Sequence, residues 1–144
     1  MYRRILVPTD GSPITEKAIA AAIGLAKPLG AQIEALAAVE PFQYGVIGEV
    51  DPPPPVDFRE TQQRIATQRV QAIALACESA GIACSVHVTE AAHPYEAIIG
   101  HATQRGCDVI VMASHGRRGV RAMLLGSQTQ KVLTHTAVPV LVVR

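Results

Sequence analysis

The sequence contains no tryptophan and only five other aromatic residues, three tyrosines and two phenylalanines, among its 144 positions. A folded core must therefore be built from Ala, Val, Ile and Leu, and the aromatic platforms on which single-stranded nucleic acid stacks are missing. Charge of one sign is lacking too: the formal net charge of +1 gives no general drive toward nucleic acid. Cysteine is scarce, and Cys77, Cys84 and Cys107 have no C-x-x-C spacing, which removes the usual sequence support for a zinc ribbon or a redox pair. An odd cysteine count with no secretory leader sets the expectation of reduced, buried thiols in a cytoplasmic protein. No apolar run approaches the roughly 20 residues that span a bilayer as a helix. The phosphate-binding pattern G-x-x-x-x-G-K-[ST] is absent, as is a strand-to-helix G-x-G-x-x-G, so neither a P-loop nucleotidase nor an ordinary dinucleotide enzyme is supported. The length suits one domain, 1–144, large enough for a core without disulfides or a structural metal.

What is present is concentrated between Asp108 and Thr129, DVIVMASHGRRGVRAMLLGSQT. An apolar run from Val109 to Met112 breaks at Ala113-Ser114-His115-Gly116, crosses a basic segment with Arg117, Arg118 and Arg121, and restarts at Gly126-Ser127 as a helix. Small residues in such a loop let backbone N–H groups approach an anion, and the first turn of the next helix adds unpaired donors and a positive dipole end. The near-neutral total hides an asymmetry. Residues 109–144 carry five Lys or Arg and no acid, whereas the preceding residues carry eight basic and twelve acidic side chains.

The rest of the chain alternates strands and helices. Ile5-Leu6-Val7 is a first strand expected to stop near Pro8, followed by the turn Thr9-Asp10-Gly11-Ser12. Ser12 is expected to cap a helix with Pro13 in its first turn and Gly30 at its end. A second strand spans Ala31 to Val39, with Ile33, Ala35 and Ala37 opposing Glu34, Leu36 and Ala38. Residues 42–56, including Pro52 to Pro55, read as a Gly/Pro-rich connector or flap. A long helix is predicted from Asp57 to Ala80, with Ala66, Val70, Ile73 and Cys77 on its apolar stripe. A third strand covers Ala83 to Thr89 with His87 on its polar side, then a helix from Pro94 to Gly106 leads into the fourth strand. Ser127 to Thr134 forms a short helix and Val138 to Val143 a fifth strand. Pro139 places that strand at a sheet edge. An apolar edge needs a cover, and the same strand of a second copy supplies one, predicting a two-fold dimer through Val138, Pro139, Val140, Leu141, Val142 and Val143. Five alternations of this kind specify a mainly parallel α/β sheet with helices on both faces.

On the frame Ala113, Gly116, Gly126 and Ser127, the chain resembles the universal stress protein family in its nucleotide-binding branch, whose pattern is Gly, two residues, Gly, nine residues, then Gly followed by Ser or Thr. The likeness extends from Ile5-Leu6-Val7-Pro8-Thr9-Asp10-Gly11-Ser12 to Val138-Pro139-Val140-Leu141-Val142-Val143, and it departs at Ala113, where the family has its first glycine. A methyl group there is expected to restrict positive φ and tune affinity. The resemblance implies a Rossmann-like, adenine nucleotide alpha hydrolase-like sheet of order 3-2-1-4-5, and it too implies the dimer. With that order the first and fourth strands meet where the strand order reverses, the usual ligand position in such sheets.

The site so implied holds ATP or another adenine nucleotide, with magnesium arriving on the phosphates. Gly116, Gly126 and Ser127, helped by Arg117 and the hydroxyl of Thr129, would hold phosphates, with Ala113, Ser114, His115 and Gln128 on the same loop. Asp10 would accept hydrogen bonds from the nucleoside, Val39 and Met112 would wall the adenine, and Pro8 and Thr9 would line its edge. Three functions compete. The first is a cytoplasmic, dimeric, ATP-binding stress regulator with an unknown protein partner, and the second is a slow ATPase or phosphotransferase in the same crevice. The third is a nucleotide-free interaction scaffold. No Ser-His-Asp or Cys-His ordering supports His115 as a catalytic base, and no residue is assigned a catalytic role.

Overall fold

The computed structural model describes residues 1–42, 56–116 and 125–144. The expected connector at 42–56 falls almost entirely outside these residues, as do Arg117, Arg118 and Arg121. In chain order the elements are β1 (Arg4–Thr9), α1 (Pro13–Leu29), β2 (Gln32–Val39), α2 (Phe58–Ser79), β3 (Cys84–Glu90), α3 (Pro94–Gln104), β4 (Val109–Ala113), α4 (Ser127–His135) and β5 (Val140–Val143). The five strands are parallel in the order β3-β2-β1-β4-β5. None of the described helices is long and apolar enough to cross a membrane.

Strand alternation distributes the core between two faces. Ile5 and Val7 of β1 join Ile33 and Ala35 of β2, Val109 and Val111 of β4, and the apolar stripes of α1 and α2. Leu6, Leu36, Ile110 and Met112 point the other way, against Ile98 and Ala102 of α3 and Val132 of α4. In α2 the buried positions are Ala66, Val70, Ile73 and Cys77, the three- and four-residue steps that place one stripe on the sheet. The largest fully buried side chains include Ile5, Leu6, Ile33, Leu36, Ile73 and Ile110, so aliphatic branching fills the volume. Burying each contributes about 1.5–3 kcal/mol.

Three element boundaries differ from expectation for identifiable reasons. β1 continues through Pro8 to Thr9 because its pairing with β2 does, Pro8 opposite Leu36 and Thr9 opposite Ala37. Its pairing with β4 comprises Ile5 with Val109 and Leu6 with Ile110. The backbone groups of Leu6 face β4, so two residues later the β4-facing position is Pro8, which has no N–H to donate. Ser12 stands at the N-cap of α1, but its hydroxyl makes no capping bond and instead lies 3.0 Å from the Thr15 hydroxyl. β5 starts at Val140, not Val138, since Val138 packs inward beside α3 and α4 while Pro139 only offers its carbonyl to the Ile110 N–H. It does lie at the sheet edge.

Asp108, just before β4, ties two strand beginnings together by accepting from the backbone N–H groups of Arg3 and Arg4 at 2.7 and 2.8 Å. Those two bonds hold its carboxyl below the usual aspartate range. Because the folded pKa is depressed, the stabilisation is present above the unfolded value of about 4 and disappears as pH falls through the lower folded value. Asp108→Ala is expected to cost about 1 kcal/mol at pH 7. In urea denaturation of both proteins, the gap should close under strongly acidic conditions.

Candidate functional site

Strand order reverses between β1 and β4, and the loops leaving their carboxyl ends meet there. The first is a tightly bonded turn. Asp10 Oδ1 accepts from the Ser12 N–H at 2.9 Å and from the Thr15 hydroxyl at 3.2 Å, while the Gly11 N–H donates to Thr9 Oγ1 at 3.1 Å. Gly11 has φ +76°, a left-handed backbone that favours glycine. A Cβ there would also lie 2.5 Å from Nε of Arg69, which α2 brings over the turn.

The second loop leaves β4 at Ala113. Ser114 donates its N–H to the Val143 carbonyl at 2.7 Å, and its own carbonyl receives the Gly126 N–H at 2.7 Å. The loop thus returns to its starting point before α4 begins. Gly126 is required by this closeness, since a Cβ would stand 3.0 Å from His115 Cα and 3.4 Å from the Ser114 carbonyl oxygen. Gly116 lies against the other loop: a Cβ there would lie 2.3 Å from Asp10 Oδ2, so the Asp10 side chain would have to move to admit it. Residues 10 and 116 are therefore near neighbours across one crevice. An open cleft of about 420 Å³ lies beside them, lined by Ser12, Pro13, Ile14, Lys17, His115 and Gly116.

Several expected ligand contacts are redirected by this geometry. The Thr129 hydroxyl is buried and donates to the Ala113 carbonyl at 3.0 Å, so it clamps α4 to β4 rather than facing the cleft. The Gln128 side-chain carbonyl accepts from the Tyr95 N–H at 2.9 Å and serves the start of α3. Val39 and Met112 belong to opposite faces of the sheet, with the α1/α2 and α3/α4 cores respectively. Ala113 needs no positive φ: it is strand backbone paired with Val143, a conformation open to any residue. The Ser114 hydroxyl lies 3.2 Å from His115 Nδ1, which orients that ring at the cleft.

Pro8 and Thr9 end β1 at the crevice floor, and Ser127 opens α4 after the Gly126 N-cap. Sequence reasoning missed Lys17 and Arg69. Lys17 follows Pro13 by one helical turn and could have been found by projecting α1 from its start. Arg69 comes from α2, nearly sixty residues along the chain, and no local pattern announces it.

If Gly116 and Asp10 compete for the same space, their substitutions must be coupled. Gly116→Ala should destabilise the fold by driving Asp10 off its turn, and Asp10→Ala should lose about 1 kcal/mol of hydrogen bonding. The double variant should be more stable than the sum of the two losses by about 1 kcal/mol in thermal or urea unfolding. Strict additivity would mean that the two loops do not touch.

Comparison with known proteins accounts for the same features together. The family model described as "Universal stress protein family" matches residues 1–144. The universal stress protein MJ0531 of Methanocaldococcus jannaschii is 30% identical over 146 residues, covering 100% of this chain and 83% of the relative. The solved structure of MJ0577, from the same organism, superposes with a TM-score of 0.77 at 25% identity, covering 99% of this chain and 96% of the other. A universal stress protein solved in complex with cAMP superposes with a TM-score of 0.73 at 21% identity over 99% of this chain and 97% of its own, a likeness of fold. A sheet of order 3-2-1-4-5, an Asp-Gly-Ser turn facing a Gly-loop-Gly-Ser segment, and a match over every residue lead to one assignment: the chain belongs to the universal stress protein family.

Proposed function

We propose that this protein binds an adenine nucleotide, ATP in the first instance, in the crevice between the Asp10 turn and the β4–α4 loop. The observation that carries the reading is the approach of Gly116 to the Asp10 side chain, which brings an acidic turn and a small-residue loop together at the carboxyl ends of β1 and β4. Phosphates are assigned to the Gly126-Ser127 end, where the first-turn N–H groups of α4 and its positive dipole end favour an anion. Arg117 and Lys17 add positive charge from the loop and from α1. Asp10, whose Oδ1 is held by Ser12 and Thr15, is assigned to the nucleoside side of the crevice rather than to phosphate, which it would repel. Magnesium would come with the phosphates, because a hard cation prefers oxygen ligands that ATP itself supplies. A universal stress protein of the same fold carries cAMP, which supports an adenine ligand here as a question of the crevice residues rather than of the fold alone.

We read the role as that of a cytoplasmic regulator in which nucleotide occupancy shifts the population of a surface seen by a protein partner. β5 is assigned to the two-fold contact. It pairs with β4 on one side only, and Leu141 in its middle is 43% exposed.

Calorimetric titration of nucleotide-free protein with ATP and magnesium tests the site. The parent should bind, and Gly126→Val, whose side chain would press on the His115 backbone, should bind at least about tenfold more weakly, a loss of ~1.4 kcal/mol. At a ligand concentration of one hundred times Kd, melting should reflect ~2.7 kcal/mol of added stability. A folded, nucleotide-free parent that does not bind overturns the proposal. Sedimentation velocity tests the edge: Leu141→Lys should convert a dimer to a monomer while leaving nucleotide binding intact.

A further inference from the structure

Among the described residues, a buried carboxylate with four basic side chains around it lies away from the crevice. Glu34 on β2 is completely buried, facing α3 from among Leu6, Leu36 and Ala102. It is in register with Leu6, four residues before Asp10, and so about 13 Å back along the sheet from the nucleotide crevice. Its two oxygens have separate duties. Oε1 faces the guanidinium groups of Arg105 at 3.3 Å and Arg4 at 3.6 Å. Oε2 faces two imidazole nitrogens, His87 Nε2 at 2.7 Å and His101 Nε2 at 3.8 Å.

The second histidine is the unexplained part. His101 Nε2 is buried and has no hydrogen-bond partner among the described residues, although it points at a carboxylate that already serves three other groups. Leaving such a nitrogen unmatched is costly in a protein interior. We propose that Glu34, His87 and His101 form a binding site for a divalent transition-metal ion of the zinc type, with one carboxylate oxygen and two Nε2 atoms as protein ligands.

The dimensions fit. One donor atom from each residue lies within 4.8 Å of the other two. Around a tetrahedral zinc with bonds near 2.0–2.1 Å, neighbouring donors stand about 3.3 Å apart. The two His-to-Glu distances straddle that value, so the cation requires one imidazole to retreat and the other to advance by about half an ångström, and the two imidazole nitrogens, within 4.8 Å of each other, to close by up to about 1.5 Å. The imidazoles are tilted by 55° with centroids 4.4 Å apart, so both nitrogens reach one point without the rings stacking.

The Glu34 carboxylate is held at one oxygen by guanidinium groups and offers the other to the two imidazoles. Arg4 and Arg105 orient that carboxylate through Oε1, in the way outer-shell partners fix metal ligands, while their positive charge moderates the affinity. Two imidazoles and one carboxylate select zinc, cobalt, nickel or copper over magnesium and calcium. Three protein ligands leave one position open, and the His87 side chain, 29% exposed, marks the route to it from solvent. Such an ion would cross-link β2, β3 and α3, on the far side of the sheet from α1 and α2.

The test uses the full chain, nucleotide-free and chelator-treated, titrated with Co²⁺ and then Zn²⁺. One equivalent of Co²⁺ should give the visible d–d bands of four-coordinate cobalt without a thiolate charge-transfer band, Zn²⁺ should displace it, and the melting temperature should rise with Zn²⁺. His101→Gln and His87→Gln should each lose the bands and the melting shift, whereas His135→Gln, on α4, should retain both. Nitrogen-detected imidazole NMR of the unsubstituted protein keeps the test independent of how the variants fold: Zn²⁺ should move the Nε2 resonances of His87 and His101 and leave those of His93 and His135. Absence of stoichiometric uptake, retention of the bands in His101→Gln, or movement of other histidines instead would overturn the proposal. Nucleotide plays no part in any of these readings.

Discussion

The crevice at the top of the sheet exists because β1 cannot keep both of its neighbours to the end of its length. Toward β2 its hydrogen bonding continues to Thr9, but the position that should next donate to β4 after Leu6 is Pro8. A proline removes one donor, and in the middle of a sheet that is ordinarily a defect. Here it falls where the strand order reverses, so the two central strands part just as their loops leave in different directions. The Asp10 turn and the Gly116 loop then occupy the gap, close enough that a Cβ at position 116 would displace the Asp10 side chain.

That constraint explains why the glycines of the second loop matter differently from the glycine of the first. Gly11 is needed for its left-handed backbone, whereas at Gly116 and Gly126 another loop or its own return path occupies the volume of a side chain. Ala113 has neither requirement, being strand backbone with its carbonyl held by Thr129. The departure from the family pattern thus falls at the position where the local structure demands glycine least.

The sheet was legible because its signals are periodic and local. Alternation in β2 predicts which side chains share a face, the three- and four-residue steps of α2 predict which are buried, and Pro139 predicts which strand lies at the edge. The crevice was legible in part. Asp10 and Gly116 could be paired only by way of the strand order, and the resemblance supplied that order. What could not be read is whatever depends on a side chain's distant neighbour. Thr129 and Gln128 sit on an anion-binding motif, yet β4 and α3 claim their polar atoms first. Val39 and Met112 look equivalent as apolar residues at strand ends, but the register of their strands sends them to opposite faces. Arg69 arrives from a helix that sequence patterning treats only as an amphipathic cover.

The same limitation is sharpest at Glu34. In sequence it is one polar residue in an alternating strand, and alternation assigns it to solvent along with His87. The parallel crossover brings α3 over that face and buries the carboxylate completely, and then Arg4 from β1, His87 from β3, and His101 and Arg105 from the end of α3 converge on it. An ion pair alone would be a poor reason to bury a carboxylate completely, because desolvation offsets most of the attraction and an apolar replacement often does as well. Arginines on one oxygen and imidazoles on the other divide the carboxylate into a held edge and a ligand edge. A cation on the ligand edge gives His101 the partner that the protein atoms around it do not.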